Sequence, residues 1–498
     1  MNHAALFDTA REAMRQRGLQ PDFSAAAQAE AEALVEPVAA PSDALRDLRA
    51  LLWCSIDNDD SRDLDQLTVA LPPDGTGMLR ILIAIADVAV LVKPGSAIDA
   101  HARENTTSVY TAAGVFPMLP LRLSTDLTSL NEHCDRQAIV IEIAVDPRAP
   151  SDTSSTAVDH SNADAPQVYR ALVRNHAQLT YDMVAAWLDG HAPAPAKVAA
   201  LAGLEDQLRT QDRAGAALQA LRRRHGALSL STPQARPVFG GDGVLTDLRS
   251  DEGNRAKALI AGFMIAANGV TARFLDAHGF PSLRRFLREP ARWQRITEIA
   301  SALGEVLPQA PSALALDGFL ARRRAAAPQQ FDDLSLTIVK LLGSGEYMLS
   351  RPGAAALGHF GLAVNDYTHS TAPNRRYPDL ITHRLLKAAL AGTPPPLSDA
   401  ELTALAAHCT AQEDNANKVE RQVRKSAAAL LLAPRVGESF DAVVTGVSAK
   451  GTWVRTSHPI AEGRVVRGER GLDVGDKARV RLVGVDAQRG FIDFERAL

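Results

Sequence analysis

The sequence predicts an α+β protein, and three textures carry that prediction. Residues 51 to about 174 are strand-like, 176–225, 252–348 and 377–432 follow a 3.6-residue apolar period, and short alternating strands return after Pro434. With 498 residues, 46% apolar and 22% charged, the chain has the composition of globular matter and enough length for two to four units. Residues 1–45 are rich in Ala and Glu and predict a helical prefix ending at Pro37 and Pro41. The runs Leu67–Leu71, Met78–Val92 and Ala138–Val145 predict strands, separated by turns bearing Pro and Gly. Residues 146–166 hold almost no large apolar side chain and predict an exposed loop. The helical stretches must pack on those strands, so 46–432 is expected to form one α+β unit with a helical end over 396–432. Residues 436–498 predict a small all-β barrel, in which Phe440 and Trp453, with arginines nearby, are expected to stack bases and hold phosphates.

Charge and cysteine usage narrow the classes. Lys and Arg total 54 against 58 Asp and Glu, a net charge of −4, so no global field draws the chain to a polyanion and any such site is local. Four basic clusters stand out: Arg222–Arg224, Arg284–Arg285 with Arg288, Arg322–Arg324, and Arg375–Arg376. Each alone reads as a solvated helix face or a helix C-terminus. Cys54, Cys134 and Cys409 are odd in number, widely spaced and form no zinc pattern, which fits a reducing compartment. Asp8, Arg11, Glu12 and Arg15 break any apolar leader, and the longest apolar run is interrupted by Asp87. The expectation is a soluble, cytoplasmic monomer with no membrane contact and no obligate protein partner.

Two polar segments carry the chemistry. Between Asp57 and Asp65 lie five aspartates, a density that repels itself unless cations neutralise it, and oxygen-rich clusters suit hard divalent ions. Asp63 and Asp65 are two apart, so on extended backbone they face one way, and Asp57 can return to them through a loop. A calcium-binding EF-hand is excluded, because its sixth position would be Arg62 and its twelfth Thr68. The second segment, Tyr367–Leu380, sets Arg375 and Arg376 between two prolines just before a helix. Rigid guanidinium forks are suited to phosphate oxygens and to charge developing on a displaced phosphoryl group.

Together these segments resemble the ribonuclease II and ribonuclease R family, whose RNB domain carries an Asp-rich loop and a downstream arginine stretch. Here that stretch is Thr-Ala-Pro-Asn-Arg-Arg-Tyr-Pro-Asp, Thr371–Asp379. The likeness extends in order through Ala84–Val88, Thr107–Tyr110, Pro117–Pro120, Leu179–Asp182, Met264–Asn268 and His359–Ala363, covering roughly 46–430. The final segment is similar to the family's S1 domain, an OB-type barrel. The resemblance implies a hydrolytic 3′→5′ exoribonuclease that threads single-stranded RNA and releases nucleoside 5′-monophosphates without regard to sequence. It implies that Asp57, Asp63 and Asp65 hold magnesium, two ions in all with manganese a candidate substitute, and that Asp65 stands nearest the chemistry. Arg375 would stabilise the scissile phosphate, Arg376 would contact the RNA, Tyr110 would stack on the terminal nucleotide, Glu420 would lie near the RNA 3′ end, and Tyr181 would help distinguish RNA from DNA.

Three departures qualify that expectation. Gln66 stands where the family's loop has a fourth aspartate, which predicts weaker metal binding through a neutral amide oxygen. Ala261 and Gly262 stand where the family commonly has two glutamates. The family's N-terminal cold-shock barrels do not fit in about 45 residues, which predicts weaker grip and a shallower salt dependence. Two other readings compete: a catalytically weakened or silent RNA-binding factor, and a phosphodiesterase acting on DNA or short oligonucleotides.

Overall fold

The computed structural model describes residues 3–37, 45–72, 75, 77–148, 167–231, 234–240, 245–251, 253–354, 358–457 and 459–497. Most of the segment expected to be an exposed loop, 149–166, and the end of the helical prefix, 38–44, lie outside the described residues.

A seven-stranded mixed sheet forms the centre, in the order Arg46–Asp47, Val168–Arg174, Asp135–Val145, Leu79–Ala86, Gln66–Ala70, Cys54–Asp57, Ala177–Thr180. The strand Leu79–Ala86 reads as a near-continuous apolar run because both of its faces are covered, and it pairs antiparallel with Asp135–Val145 from Leu79↔Val145 to Ala86↔Ala138. Helices Leu204–Arg224 and Arg255–Ala277 pack on one side of the sheet. Polar tethers fix the first of them: Thr68 Oγ1 donates to Gln211 Oε1 (2.7 Å), and the Ala70 N–H donates to Gln207 Oε1 (2.9 Å). The two helices approach closely at Gly215, where a Cβ would fall 2.4 Å from Leu259 Cδ1. By length and composition Arg255–Ala277 is apolar enough to cross a membrane, yet Leu259, Ile260, Phe263 and Val270 are buried in the main core.

Helix Tyr377–Leu390 is held to the sheet by buried charge. Lys387 Nζ donates to both oxygens of Asp87 at 2.9 Å, and Arg384 Nη2 donates to Asp99 Oδ1 at 2.7 Å. Its successor, Asp399–Leu432, runs 34 residues from a capping box between Ser398 and Glu401. One stretch of this long helix, Ala416 to Ala427, buries the N-terminal helix His3–Arg15 through Leu6, Ala10 and Met14. Its last turn contributes Ala428, Ala429 and Leu432 to the core of a closed barrel, ordered Ser439–Ser448, Gly451–Thr456, Ala461–Arg467, Phe491–Arg496, Lys477–Asp486.

Several expectations are corrected. Phe440 does not stack bases: it is 5% exposed inside the barrel, edge-to-face with Phe494 at 6.2 Å, because its strand alternates inward and outward and position 440 faces in. Residues 252–348 are mainly helical, as expected, but also hold the strand Ser282–Phe286, which pairs antiparallel with Glu346–Ser350. A further antiparallel pair, Gln234–Phe239 with Leu245–Asp251, lies between the two helical stretches. The Arg284–Arg285 cluster is no solvated helix face. Arg284 is buried and donates to the Ala272 carbonyl, and Arg285 bonds Glu413 while lying 4.8 Å from the Tyr347 ring centroid.

Candidate active site

Asp57 ends the strand Cys54–Asp57, which runs parallel to Ala177–Thr180 with Asp57 opposite Thr180. Thr180 caps the next helix, Tyr181–Leu188, by accepting from the Met183 N–H, so Tyr181 opens that helix beside Asp57. Asp57 Oδ1 accepts from the Asn58 N–H (2.7 Å) and the Ser61 hydroxyl (2.8 Å), which curls the chain into a loop and leaves Asp59 and Asp60 exposed. Leu64 then plugs into the core, its N–H donating to Ser129 Oγ (2.9 Å) and its carbonyl accepting from the Leu130 N–H (2.9 Å). The return strand begins at Gln66, whose Nε2 donates to Asp57 Oδ2 at 3.4 Å.

The arginine segment is pinned at each end. Ser370 bonds Asn268 through both its N–H and its hydroxyl (2.9 Å each), and the Ala372 N–H donates to Asp379 Oδ1 (2.8 Å). The Asn374 N–H donates to Asp65 Oδ1 (3.0 Å), the Ser108 N–H donates to the Arg375 carbonyl (2.9 Å), and the Tyr377 N–H to that of Thr106 (2.8 Å). The aspartate loop and the arginine loop, some 310 positions apart in sequence, are thereby joined directly. Arg375 Nε stands 3.4 Å from Asp65 Oδ2; Asp65 is 2% exposed, while the Arg375 side chain keeps 47% of its surface open to the cavity. Arg376 turns the other way, its Nη2 donating to the fully buried Asp379 at 2.8 Å, so it supports the loop.

Tyr110 sits on the hairpin Val109–Thr111 and Gly114–Phe116, 40% exposed, with its hydroxyl donating to Asp63 Oδ2 at 3.3 Å. Its own N–H donates to Glu420 Oε1 at 2.9 Å, so Glu420 on the long helix positions this tyrosine. Asp57, Asp63, Asp65, Gln66, Tyr110, Tyr181 and Arg375 line one cavity of about 350 Å³. Lys257, Ile260, Ala261, Met264 and Thr371 line it as well. Met264 and Thr371 fell inside motif blocks, but nothing in the sequence marked Lys257, whose place depends on where helix Arg255–Ala277 starts. Trp453 lies outside this cavity, half-buried on the outer barrel face opposite Arg464.

Electrostatics follow from burial. Burial pushes the Asp65 carboxyl up to about 7; Arg375 opposes the shift and Asp63 adds to it. Burial raises Asp63 too, with Asp57 adding repulsion, and it raises the phenols of Tyr110 and Tyr181. For Arg375, burial acts to lower the pKa, but Tyr110 and the three aspartates outweigh it and keep the guanidinium protonated. The oxygen donors therefore fit a hard divalent cation, whose charge would offset the burial of carboxylates. As arranged, each carboxylate is bonded to a protein donor, and among the described residues no three His, Cys, Asp or Glu side chains converge tightly enough to hold an ion.

Comparison with known proteins agrees with this architecture. Residues 45–392 match the RNB domain, and 438–497 match the RNase II-type exonuclease C-terminal S1 domain. Ribonuclease R 1 of Lactococcus lactis is 28% identical over 90% of this chain, and Ribonuclease R of Escherichia coli is also 28% identical over 90%. The chain spans 56% and 57% of the length of these two relatives. A solved structure of Mycoplasma genitalium RNase R in complex with ribose methylated single-stranded RNA superposes with a TM-score of 0.84 at 22% identity, covering 99% of this chain and 78% of that one. With the RNB match spanning well over half its length, the chain belongs to the RNB-domain family of ribonuclease II-type proteins.

Proposed function

We propose that this protein is a hydrolytic 3′→5′ exoribonuclease that takes single-stranded RNA and releases nucleoside 5′-monophosphates. The observation that carries the reading is the direct junction of the two loops, which sets the half-open Arg375 guanidinium beside buried Asp65 in a cavity shared with two tyrosines. At about 350 Å³ that cavity is near the small end of ligand sites, ~300–1,000 Å³, which suits one terminal nucleotide at a time. The relatives' names, Ribonuclease R, point the same way.

In this reading Arg375 binds two oxygens of the scissile phosphate and stabilises the charge that develops there, and Tyr110 offers its ring to the terminal base. Tyr181, next to Asp57, is within the same cavity to meet the terminal ribose. Asp57, Asp63 and Asp65, with the Gln66 carbonyl oxygen, would hold magnesium, or manganese in its place; the bound ions would acidify water and neutralise phosphate charge. Stacking on a π face accepts any base, so degradation is independent of sequence.

The test is 5′-labelled single-stranded RNA incubated with magnesium and the purified protein, beside Asp65→Asn, Arg375→Ala and a matched DNA strand. Stepwise shortening of the RNA from its 3′ end by wild type alone is expected, and an intact strand would sink the reading. The hydrogen bond from Gln66 to Asp57, a donor where the family resemblance implies an anion, favours one competitor, a silent RNA-binding factor. Tight RNA binding with no shortening at any magnesium or manganese concentration would select it.

A further inference from the structure

Beside the catalytic cavity, along helix Arg255–Ala277, lies a second, larger one. Lys257 and Ala261 line both, and the second cavity measures about 1170 Å³, more than three times the first. Next to Ala261 on this helix stands a second small residue, Gly262, which is buried and lines neither cavity. A Cβ on Gly262 would meet a single side chain within 4 Å, Arg222, whose Nη2 would stand 3.8 Å away.

Arg222 belongs to the last turn of helix Leu204–Arg224 and lines the larger cavity. Of the other cations lining it, Arg255 bonds Asp212 and Asp189 and Arg324 donates to the Ser229 carbonyl, while Arg223 is exposed. Among the described residues Arg222 pairs with no carboxylate, and its Nε is buried without a hydrogen-bond partner. A partly buried guanidinium with unused donors is costly to maintain unless a ligand satisfies it, and its fork matches phosphate oxygens.

We propose that Arg222 is a phosphate-binding residue for the incoming RNA strand. It would grip a backbone phosphate upstream of the nucleotide held by Tyr110 and Arg375, and Gly262 places no side chain beside its Nη2. This rests on the exoribonuclease reading above. The relative volumes assign the direction: the larger cavity has room for several nucleotides of the approaching strand, whereas a departing monophosphate needs no more than the smaller one.

The test is anisotropy of end-labelled single-stranded RNA across a potassium chloride series, with EDTA present so that the strand stays intact. A dinucleotide and a strand of about twelve nucleotides are compared. Arg222→Gln is expected to weaken the long strand several-fold and to reduce the slope of log affinity against log salt by about 0.7, the contribution of one single-strand phosphate contact, while the dinucleotide is unaffected. Arg222→Lys keeps the charge and should restore the slope, which a merely damaged helix end would not. Gly262→Glu, which sets a carboxylate beside Arg222, should weaken the long strand and lower the slope as Arg222→Gln does. An unchanged long-strand affinity and slope in Arg222→Gln overturns the proposal, as does equal weakening of the dinucleotide. If wild type binds neither RNA, the exoribonuclease reading fails first and this one falls with it.

Discussion

Replacing Asp379 by Asn tests whether a charge behind the arginine loop holds the site in shape. The Asp379 side chain is fully buried, and its Oδ1 receives both the Ala372 N–H and Arg376 Nη2 at 2.8 Å. Asparagine keeps an acceptor of the same size for Ala372 but withdraws the charge from Arg376. Burial acts to lower the Arg376 pKa and Asp379 is the largest influence raising it, so the pair depends on that carboxylate. Removing one partner of a buried pair costs about 3–5 kcal/mol. The Arg376 side chain keeps 26% of its surface accessible, which puts the expected loss near the lower end, about 3 kcal/mol. Part of that loss should appear as displacement of residues 372–376, which carry Arg375; a shift on the order of 1 Å at a reacting group costs roughly 10²-fold in rate. Urea unfolding followed by tryptophan fluorescence reads the first quantity, and kcat for RNA hydrolysis measured separately from KM reads the second. A variant with the wild-type urea midpoint and kcat within twofold of wild type would refute the reasoning.

Other perturbations separate structural from binding roles. Lys387→Met strands Asp87, whose fully buried carboxylate keeps, among the described residues, only Arg170 at 3.4 Å, and should cost about 3–5 kcal/mol in chemical denaturation, most of it recovered in the Asp87→Leu/Lys387→Met double variant. Phe440→Ala empties the barrel core and should destabilise the protein by about 3–5 kcal/mol. Trp453→Ala should leave the unfolding transition nearly in place and weaken RNA binding by about 1–3 kcal/mol, read by anisotropy. Burial holds the His101 ring down to about 4, and its Nε2 accepts from Asn105 Nδ2, which also donates to the Gln20 carbonyl. The folded protein thus binds fewer protons than the unfolded chain below pH 6.5. Stability is fully present above that value and is lost as pH falls toward 4, by roughly 3 kcal/mol at the limit, and His101→Gln should flatten that slope in unfolding measured across the range.

Much of the site was legible because its chemistry is dense in sequence. Five aspartates in ten positions and two arginines between prolines are local patterns, and the cavity gathers Asp57, Asp63, Asp65, Gln66, Tyr110, Tyr181 and Arg375. What stayed hidden depends on partners far away in the chain. Ser282–Phe286 reads Ser-Leu-Arg-Arg-Phe and becomes a strand because Glu346–Ser350 and Thr368 lie alongside it, a context no local propensity encodes. The arginines within it looked solvated because Glu413, 128 positions away from Arg285, is visible as its partner only after folding. Phe440 was misread for a simpler reason: composition identifies an aromatic, whereas which face of a strand it occupies depends on register.

The helix Asp399–Leu432 touches nearly every part described above: Arg285 through Glu413, Tyr110 through Glu420, the N-terminal helix through Ala416 and Val423, and the barrel through Leu432. A barrel whose interior is completed by its neighbour's last turn is not an interchangeable bead on a string. Trimming it away would bare Ala428, Ala429 and Leu432 to water at the end of the same rod that steadies Tyr110. For engineering, the safer place to exchange an RNA-binding module is therefore upstream of Ser398, carrying the whole helix with it, than at the 3₁₀ turn Ala433–Arg435.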